Sequence, residues 1–174
     1  MPAWQAAFLR GGHASGARCG APRGRGCREV PDVSALAAIG TRGTRGYVIY
    51  GTAGAFKGQG WQTAGGTSLA TPLWAALTAL ADQRAAGHRL GLLSPSLYRI
   101  ARQDPRAFTD VTTGTNDYLA TYGRHPHHTC RSGSRRRLAC SPATRGYDMA
   151  TGLGSPQSGY LVAALVGERP GRFR

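Results

Sequence analysis

GGTSLATPLWAAL, residues 65–77, places a serine at the point where a glycine-rich turn becomes an apolar helix. Gly65 and Gly66 let the backbone turn tightly and leave space beside the Ser68 hydroxyl. The helix that begins there supplies free N–H groups and a positive dipole end, which can hold a developing oxyanion. Ser68 is therefore a candidate nucleophile. The alternative is a plain helix cap at Thr67 or Ser68, with Pro72 tolerated in the first turn.

Four further segments accompany this stretch in a fixed order. Pro2–Gln5 and Arg28–Ala35 lie before the serine, and Phe108–Gly114 and Gly146–Pro156 lie after it. Together they resemble the last part of the catalytic domain of the sedolisin family, the serine-carboxyl peptidases that include the tripeptidyl-peptidases. The resemblance runs from Trp4 to about Val166. It implies an α/β fold, namely the C-terminal part of a subtilisin-like parallel-sheet domain with a calcium-binding loop region.

The same resemblance implies that Ser68 attacks peptide bonds of a polypeptide substrate, as an endopeptidase or a tripeptidyl-peptidase with an acidic optimum. In that family a glutamate activates the serine, an aspartate four residues later orients the glutamate, and a further aspartate binds the oxyanion. All three precede the region that matches here. Only Glu29 and Asp32 are acids before Ser68, and Pro31 between them prevents a helix that presents both on one face. We expect Asp32 to be a buried hydrogen-bonding or turn residue, and the chain alone to be inactive.

The length of 174 residues suffices for one compact domain, but a sedolisin catalytic domain is considerably longer. The resemblance therefore implies that the N-terminal half of the domain is absent, through truncation or a misplaced start codon, and that this half is a candidate partner. In the complete fold a parallel sheet covers the serine helix on both sides. We expect the helix to expose apolar surface here, and the chain to be poorly soluble.

A second site is implied by the resemblance in the last third of the chain. One calcium ion would be held by the carboxylates of Asp110 and Asp148 and by the carbonyls of Val111, Thr144 and Gly146. Calcium takes six or more oxygens at flexible geometry, which loops can supply. The family often has glycine where Thr144 stands, so this ligand requires backbone angles that are open to other residues. The alternative is that the two aspartates only stabilise turns, and a non-catalytic calcium-binding remnant is a further alternative for the whole chain.

Local patterns predict the organisation of the chain. Residues 1–30 form a loop-rich Gly/Arg segment, residues 31–167 the peptidase portion and residues 168–174 a basic tail. Gly46–Gly51 predicts a strand, and the glycines that follow it predict a long connection with room for a hairpin. Helices are predicted over residues 69–86, over residues 94–102 and from Ser155-Pro156 through Leu165.

The four cysteines form two close pairs, which favour two short disulfides in an oxidising compartment. The pairs are Cys19 with Cys27 and Cys130 with Cys140. A zinc site is the alternative, although its spacing fits no standard motif. Its candidate ligands are His125, His127, His128 and Cys130.

A net charge of +14 raises a different class of function, the binding of nucleic acid or of another acidic surface. The densest basic cluster, Arg131 with residues 135–137, fits no nucleic-acid motif and has no interleaved aromatic residues. We therefore expect no specific nucleic-acid partner. A subtilisin-type triad is also disfavoured, because His13 is the only histidine before Ser68 and lies in the Gly/Arg-rich segment.

The sequence offers no signal peptide after Met1 and no apolar stretch long enough to cross a bilayer. No membrane partner is therefore expected. Sedolisins are usually secreted, so the resemblance implies an extracellular parent protein.

Overall fold

The computed structural model describes residues 1–9, 26–38, 46–52, 60–116 and 141–168. Helices and two small sheets alternate within these ranges, as expected for a mixed α/β chain. A single 3-10 turn, Pro105–Ala107, leads from α3 into β3. In chain order the elements are α1 Ala3–Phe8, β1 Tyr47–Gly51, β2 Gly60–Ala64, α2 Thr67–Arg84, α3 Ser94–Gln103, β3 Phe108–Thr109, β4 Ser155–Pro156 and α4 Ser158–Leu165.

The three predicted helices and the predicted strand are confirmed, with small shifts at their ends. Helix α1 was not predicted, because six residues are too few for an apolar period to be visible. It lies within the segment predicted to be loop-rich, and its Trp4 and Phe8 pack against the core. Both described sheets are antiparallel. The described residues therefore contain no parallel sheet, and the subtilisin-like parallel sheet stays a prediction for the complete domain.

The hairpin of β1 and β2 leads directly into the serine turn. Its register pairs Tyr47 with Ala64 and Gly51 with Gly60. Gly46 starts the hairpin at a φ of 145°, and a Cβ there would lie only 2.7 Å from the Thr63 methyl group. Glycine is therefore required where the chain enters β1.

The core lies where α3 and α4 meet, and α2 contributes to it from one side. Its central side chains are fully buried and mostly aliphatic, as expected for the apolar faces of amphipathic helices. The members contributed by these three helices are Ala81, Leu97, Tyr98, Ile100, Leu161 and Leu165.

A buried polar cluster joins α1 and α3 to the segment that contains Asp32. The Asp32 carboxylate accepts hydrogen bonds from the Tyr98 hydroxyl at 2.7 Å, from the Ser94 hydroxyl at 3.0 Å and from Arg28. Gln5 is fully buried and donates to both the Tyr98 hydroxyl and the Glu29 carbonyl at 2.8 Å. Asp32 thus has the hydrogen-bonding role that the sequence predicts, although its side chain is 17% exposed rather than fully buried.

Helix α2 buries only one of its faces. Leu77 and Ala81 face the core, while Leu73 and Leu80, which adjoin Leu77 toward solvent, are 36% and 53% exposed. Three alanines on that outer face, residues 75, 76 and 79, are exposed as well. The predicted apolar surface on the serine helix is therefore present, and we call it the outer face of α2.

Among the described residues no helix combines the length and the apolar character that crossing a bilayer requires. Cys27 lies in a described range and is not a free thiol. Its proposed partner Cys19, the Cys130–Cys140 pair and the candidate zinc-ligating histidines lie outside the described residues, as does the arginine cluster at residues 131–137. The disulfide pairing therefore stays a prediction.

Candidate active site and calcium loop

The serine turn is fixed at the first residue of α2. Gly66 occupies the N-cap position with φ 103° and ψ 160°, angles that favour glycine. Its carbonyl accepts hydrogen bonds from the amides of Leu69 at 3.0 Å and Ala70 at 3.4 Å. The amides of Thr67 and Ser68 make no hydrogen bond to another described residue. Two N–H donors therefore stand free at the positive end of an 18-residue helix.

Ser68 itself is exposed, and its hydroxyl makes no hydrogen bond within the described part of the chain. No side chain caps α2, so the alternative in which Thr67 or Ser68 serves as a hydrogen-bonding cap is wrong. Pro72 lies in the second turn rather than the first. Because proline has no N–H, the Ser68 carbonyl lacks its usual helical donor.

Several carboxylates of the described residues are engaged away from Ser68. Asp82 accepts from the Leu90 amide at 2.9 Å, Asp104 pairs with Arg106, and Glu168 pairs with Arg84. Asp32 is committed to the buried cluster described above. No hydrogen bond between described residues joins a carboxylate to Ser68, so the described part of the chain presents no general base.

A segment of six residues, 32–37, connects the serine turn to the C-terminal part of the chain. At one end the Asp32 carbonyl accepts from the Leu153 amide at 2.8 Å, and at the other the Ala37 carbonyl accepts from the Gly66 amide at 2.5 Å. Between them the Trp74 indole donates to the Ser34 carbonyl at 3.2 Å. We call residues 32–37 the tether. These backbone contacts were not predicted, because no side-chain pattern signals them.

The residues predicted to bind calcium are brought together in two adjacent loops. The Gly146 amide donates to the Asp110 carboxylate at 2.8 Å, and the Thr144 amide donates to Asp148 at 2.8 Å. Val111 directly follows Asp110. The loops therefore place two carboxylates and three carbonyl-bearing residues in one neighbourhood, a donor set of oxygens only.

Asp148 is only 3% exposed, and both of its oxygens accept hydrogen bonds. One oxygen accepts from Thr144, and the other accepts from the Ala150 amide at 2.9 Å and from the Thr151 amide at 2.8 Å. These bonds are those of an aspartate that stabilises a turn. The second oxygen also accepts from the Thr151 hydroxyl at 3.1 Å, so its lone pairs are taken. The turn role and the calcium role are compatible through the first oxygen, which accepts only from the Thr144 amide and keeps a second lone pair.

The backbone at Thr144 does not require glycine, the residue that the family often has at this position. Among the described residues other than glycine, only Ala86 has a positive φ. Thr144 therefore adopts angles that any residue tolerates. Gly146, with φ 81°, is the position in this loop where the backbone favours glycine. The residues present thus fit the oxygen ligands of a calcium ion. Among the described residues, no three acidic, histidine or cysteine side chains are placed so that they could hold a metal ion, so this set depends on backbone carbonyls as well.

Tyr147 links the candidate calcium loop, residues 144–148, to the segment around Asp32, since its hydroxyl donates to the Pro31 carbonyl at 3.0 Å. Burial raises the pKa of Tyr147 to about 12, and burial together with the hydrogen bond to Asp32 raises the pKa of Tyr98 further. Both rings thus favour the neutral phenol in the folded state.

We expect the free energy of unfolding to decrease as the pH rises from about 10 to about 12. An unfolded tyrosine loses its proton near pH 10, whereas the folded Tyr147 keeps its proton, so the unfolded state gains stability over this range. Urea denaturation at several pH values measures the slope. Tyr147→Phe should make the slope shallower, and Tyr50→Phe, at an exposed ring, should leave it unchanged. Equal slopes for Tyr147→Phe and the parent chain would contradict the assignment.

Comparison with known proteins shows several homologous peptidases. Kumamolisin from Bacillus sp. (strain MN-32) is 35% identical over 166 residues, which cover 95% of this chain and 24% of kumamolisin. Physarolisin from Physarum polycephalum is 31% identical over 143 residues, or 78% of this chain and 20% of that protein. Tripeptidyl-peptidase 1 from Dictyostelium discoideum is 36% identical over 101 residues, or 56% of this chain and 14% of that protein.

The chain thus spans about a quarter or less of the length of these curated relatives. No protein-family model matches it. The relatives are all sedolisin-family peptidases, and one of them aligns with nearly the whole chain. The serine turn, the tether and the acidic loops therefore belong to a member of the sedolisin family.

Proposed function

We propose that this chain carries the nucleophile of a serine-type peptidase and that Ser68 is that nucleophile. The observation that carries the proposal is the exposed Ser68 hydroxyl beside the free amides at the start of α2. The hydroxyl oxygen would attack the carbonyl carbon of a peptide bond, and the Ser68 amide would donate to the resulting oxyanion. The base that takes the Ser68 proton would return it to the amine as the C–N bond breaks, and water would then hydrolyse the acyl-enzyme. Polypeptides are the substrate class, and an extracellular location of the complete protein is part of the same proposal.

The general base must come from outside the described residues, because none of their carboxylates is bonded to Ser68. We propose that it lies in the part of the relatives' length that this chain does not cover. A carboxylate base would give an acidic optimum, since carboxylates titrate far below histidine. The outer face of α2 is where that part would dock. It presents Leu73, Leu80 and exposed alanines, the composition of a helix face buried in a complete domain.

Co-expression tests this assignment. The chain is produced with and without the upstream part of a sedolisin catalytic domain, and cleavage of a denatured protein is measured at about pH 4. We expect cleavage only when both parts are present. Leu80→Lys should prevent their association by placing a charge on the outer face, whereas Gln103→Lys, at an exposed polar position on α3, should not. Cleavage by the chain alone would contradict the need for an external base.

The second candidate function is a non-catalytic calcium-binding remnant. The specific observation in its favour is that no described carboxylate is hydrogen-bonded to Ser68, while Asp110 and Asp148 each accept a hydrogen bond from the loop of residues 144–148. Absence of cleavage in the co-expression experiment, together with a calcium effect on stability, would favour the remnant over the peptidase.

We propose one calcium ion bound by Asp110, Val111, Thr144, Gly146 and Asp148. When bound, the ion supplies positive charge that offsets the two carboxylates, and it fixes the two loops against each other. The protein residues would fix the positions of the ligand atoms. Asp148 is held by its backbone donors, and Gly146 joins its own loop to Asp110.

Calcium should raise the thermal midpoint of the chain. At a calcium concentration of about 100 times the dissociation constant, the expected stabilisation is about 2.7 kcal/mol. Differential scanning calorimetry in calcium and in a chelator measures it. Asp110→Asn should abolish the calcium effect, and Asp104→Asn should leave it intact, because Asp104 pairs with Arg106. An identical response of the two variants would reject the ligand assignment.

A further inference from the structure

A groove runs between α1 and α3, built from residues that neither the serine turn nor the calcium loops use. Its volume is about 310 Å³. This lies at the lower end of the range of sites for small molecules. The groove is lined by Trp4, Ala7, Pro95, Tyr98, Arg99, Arg102 and Gln103.

The floor of the groove is apolar and aromatic. The rings of Trp4 and Tyr98 lie 4.9 Å apart between centroids and are inclined by 49°. The Tyr98 hydroxyl is already engaged, because it accepts from Gln5 and donates to Asp32. Tyr98 is only 1% exposed, so its ring supports Trp4 from behind, and Trp4 and Pro95 present the apolar surface of the groove. Such a floor suits a flat or branched apolar group.

The rim of the groove is positively charged. Arg99 and Arg102 are exposed and lie three residues apart on α3, which places them on neighbouring positions of one helix surface. Neither makes an ion pair or hydrogen bond with another described residue. Arg28 differs, since it lies 4.9 Å from the Trp4 ring but is neutralised by Asp32.

The residues that line the groove include no carboxylate. Two guanidinium groups at its rim are thus left without a counter-charge from the described part of the chain. A planar guanidinium matches a carboxylate with two parallel hydrogen bonds, and the match is strongest beside an apolar surface.

We propose that the groove between α1 and α3 binds a small organic anion, namely a carboxylate attached to an aromatic or aliphatic body. The body rests on Trp4 and Pro95. The carboxylate is held by Arg99 and Arg102. This site is independent of peptide-bond cleavage at Ser68, because it shares no residue with the serine turn.

Titration of the 174-residue chain tests the site with N-acetyl-L-tryptophan, which joins an aromatic body to a carboxylate. The readout is the indole N–H signal of Trp4 in nitrogen-15 NMR spectra, assigned with Trp4→Phe. N-acetyl-L-tryptophanamide keeps the body and removes the charge, and it should bind about tenfold more weakly. Acetate keeps the charge without the body and should not shift the Trp4 signal.

Matched variants separate a built site from a generally basic surface. Arg99→Gln and Arg102→Gln should each weaken binding about threefold to tenfold. Arg89→Gln, an exposed arginine away from the groove, should leave it unchanged. Ala7→Trp should fill the groove and block binding while both arginines remain. Dispersed spectra confirm that each variant is folded.

Three results would overturn the proposal: equal affinity for the acid and the amide, equal loss of affinity in Arg89→Gln and Arg102→Gln, or a Trp4 shift with acetate alone. Binding that needs the carboxylate, the aromatic body and both rim arginines would support it. Because cleavage at Ser68 is not a readout here, failure of this site leaves the proposed peptidase role untouched.

Discussion

Ser68→Ala should lower peptidase activity of the assembled catalytic domain by at least about 10⁴-fold, with little change in substrate affinity. The reason is that a covalent mechanism has no other group to attack the peptide carbonyl once the hydroxyl is removed. Removing the nucleophile of a serine protease leaves only the modest contribution of binding and oxyanion donors. Steady-state kinetics on a peptide substrate at about pH 4 measure the change.

Ser158→Ala is the matched control for this variant. Ser158 is likewise an exposed serine in the first turn of a helix, but it begins α4 rather than α2. A loss of activity that is equal in the two variants would mean that removing a helix-terminal serine, rather than a nucleophile, causes the effect. Circular dichroism of Ser68→Ala should match the parent, because the Ser68 hydroxyl makes no hydrogen bond to another described residue.

Gly152→Ala should lower the free energy of unfolding by about 4 kcal/mol. Gly152 has a φ of 64° and lies directly against the backbone of Pro31 and Asp32. An added Cβ would overlap the Asp32 carbonyl and would lie 2.7 Å from the Pro31 carbonyl oxygen. Rotating a side chain cannot relieve this overlap, so the tether itself would have to move.

Gly91→Ala isolates the backbone component of that cost. Gly91 has nearly the same φ, 66°, but an added Cβ there would meet nothing within 4 Å. We therefore expect only the conformational penalty, about 1 kcal/mol. Urea denaturation of the two variants measures the difference between them. If both substitutions cost the same, the close approach to Asp32 contributes nothing to stability.

Local patterns account well for the helices and for β1. Ser94-Pro95 and the apolar spacing after it indicate α3, and the glycines that bound β1 indicate a strand. The pairing of β3 with β4 could not be predicted in this way, because Thr109 and Ser155 are far apart in sequence and each strand has two residues. Pairing between such short distant segments depends on tertiary packing, which leaves no periodic trace.

The candidate site likewise has features that the sequence predicts and features that it does not. The glycines before Ser68 predict its exposure at a helix start, and the structure places it there. The turn is held in place by hydrogen bonds to backbone carbonyls of residues 32–37. Every residue has such a carbonyl, so the sequence does not distinguish these positions. The polar cluster around Asp32 was partly foreseeable, since a carboxylate among apolar neighbours needs partners. Its links to Gln5 and Tyr98 were not.

The tether links the serine turn to loops that are distant in sequence. Six residues span at most about 20 Å. Gly66 and Leu153 are therefore hydrogen-bonded to the two ends of one short segment. A shift of the C-terminal loops would therefore displace the start of α2, and Ser68 with it. This displacement requires no change of charge and no bound ligand. The position of Ser68, the proposed nucleophile, would then depend on how firmly a loop more than eighty residues further along the sequence is held.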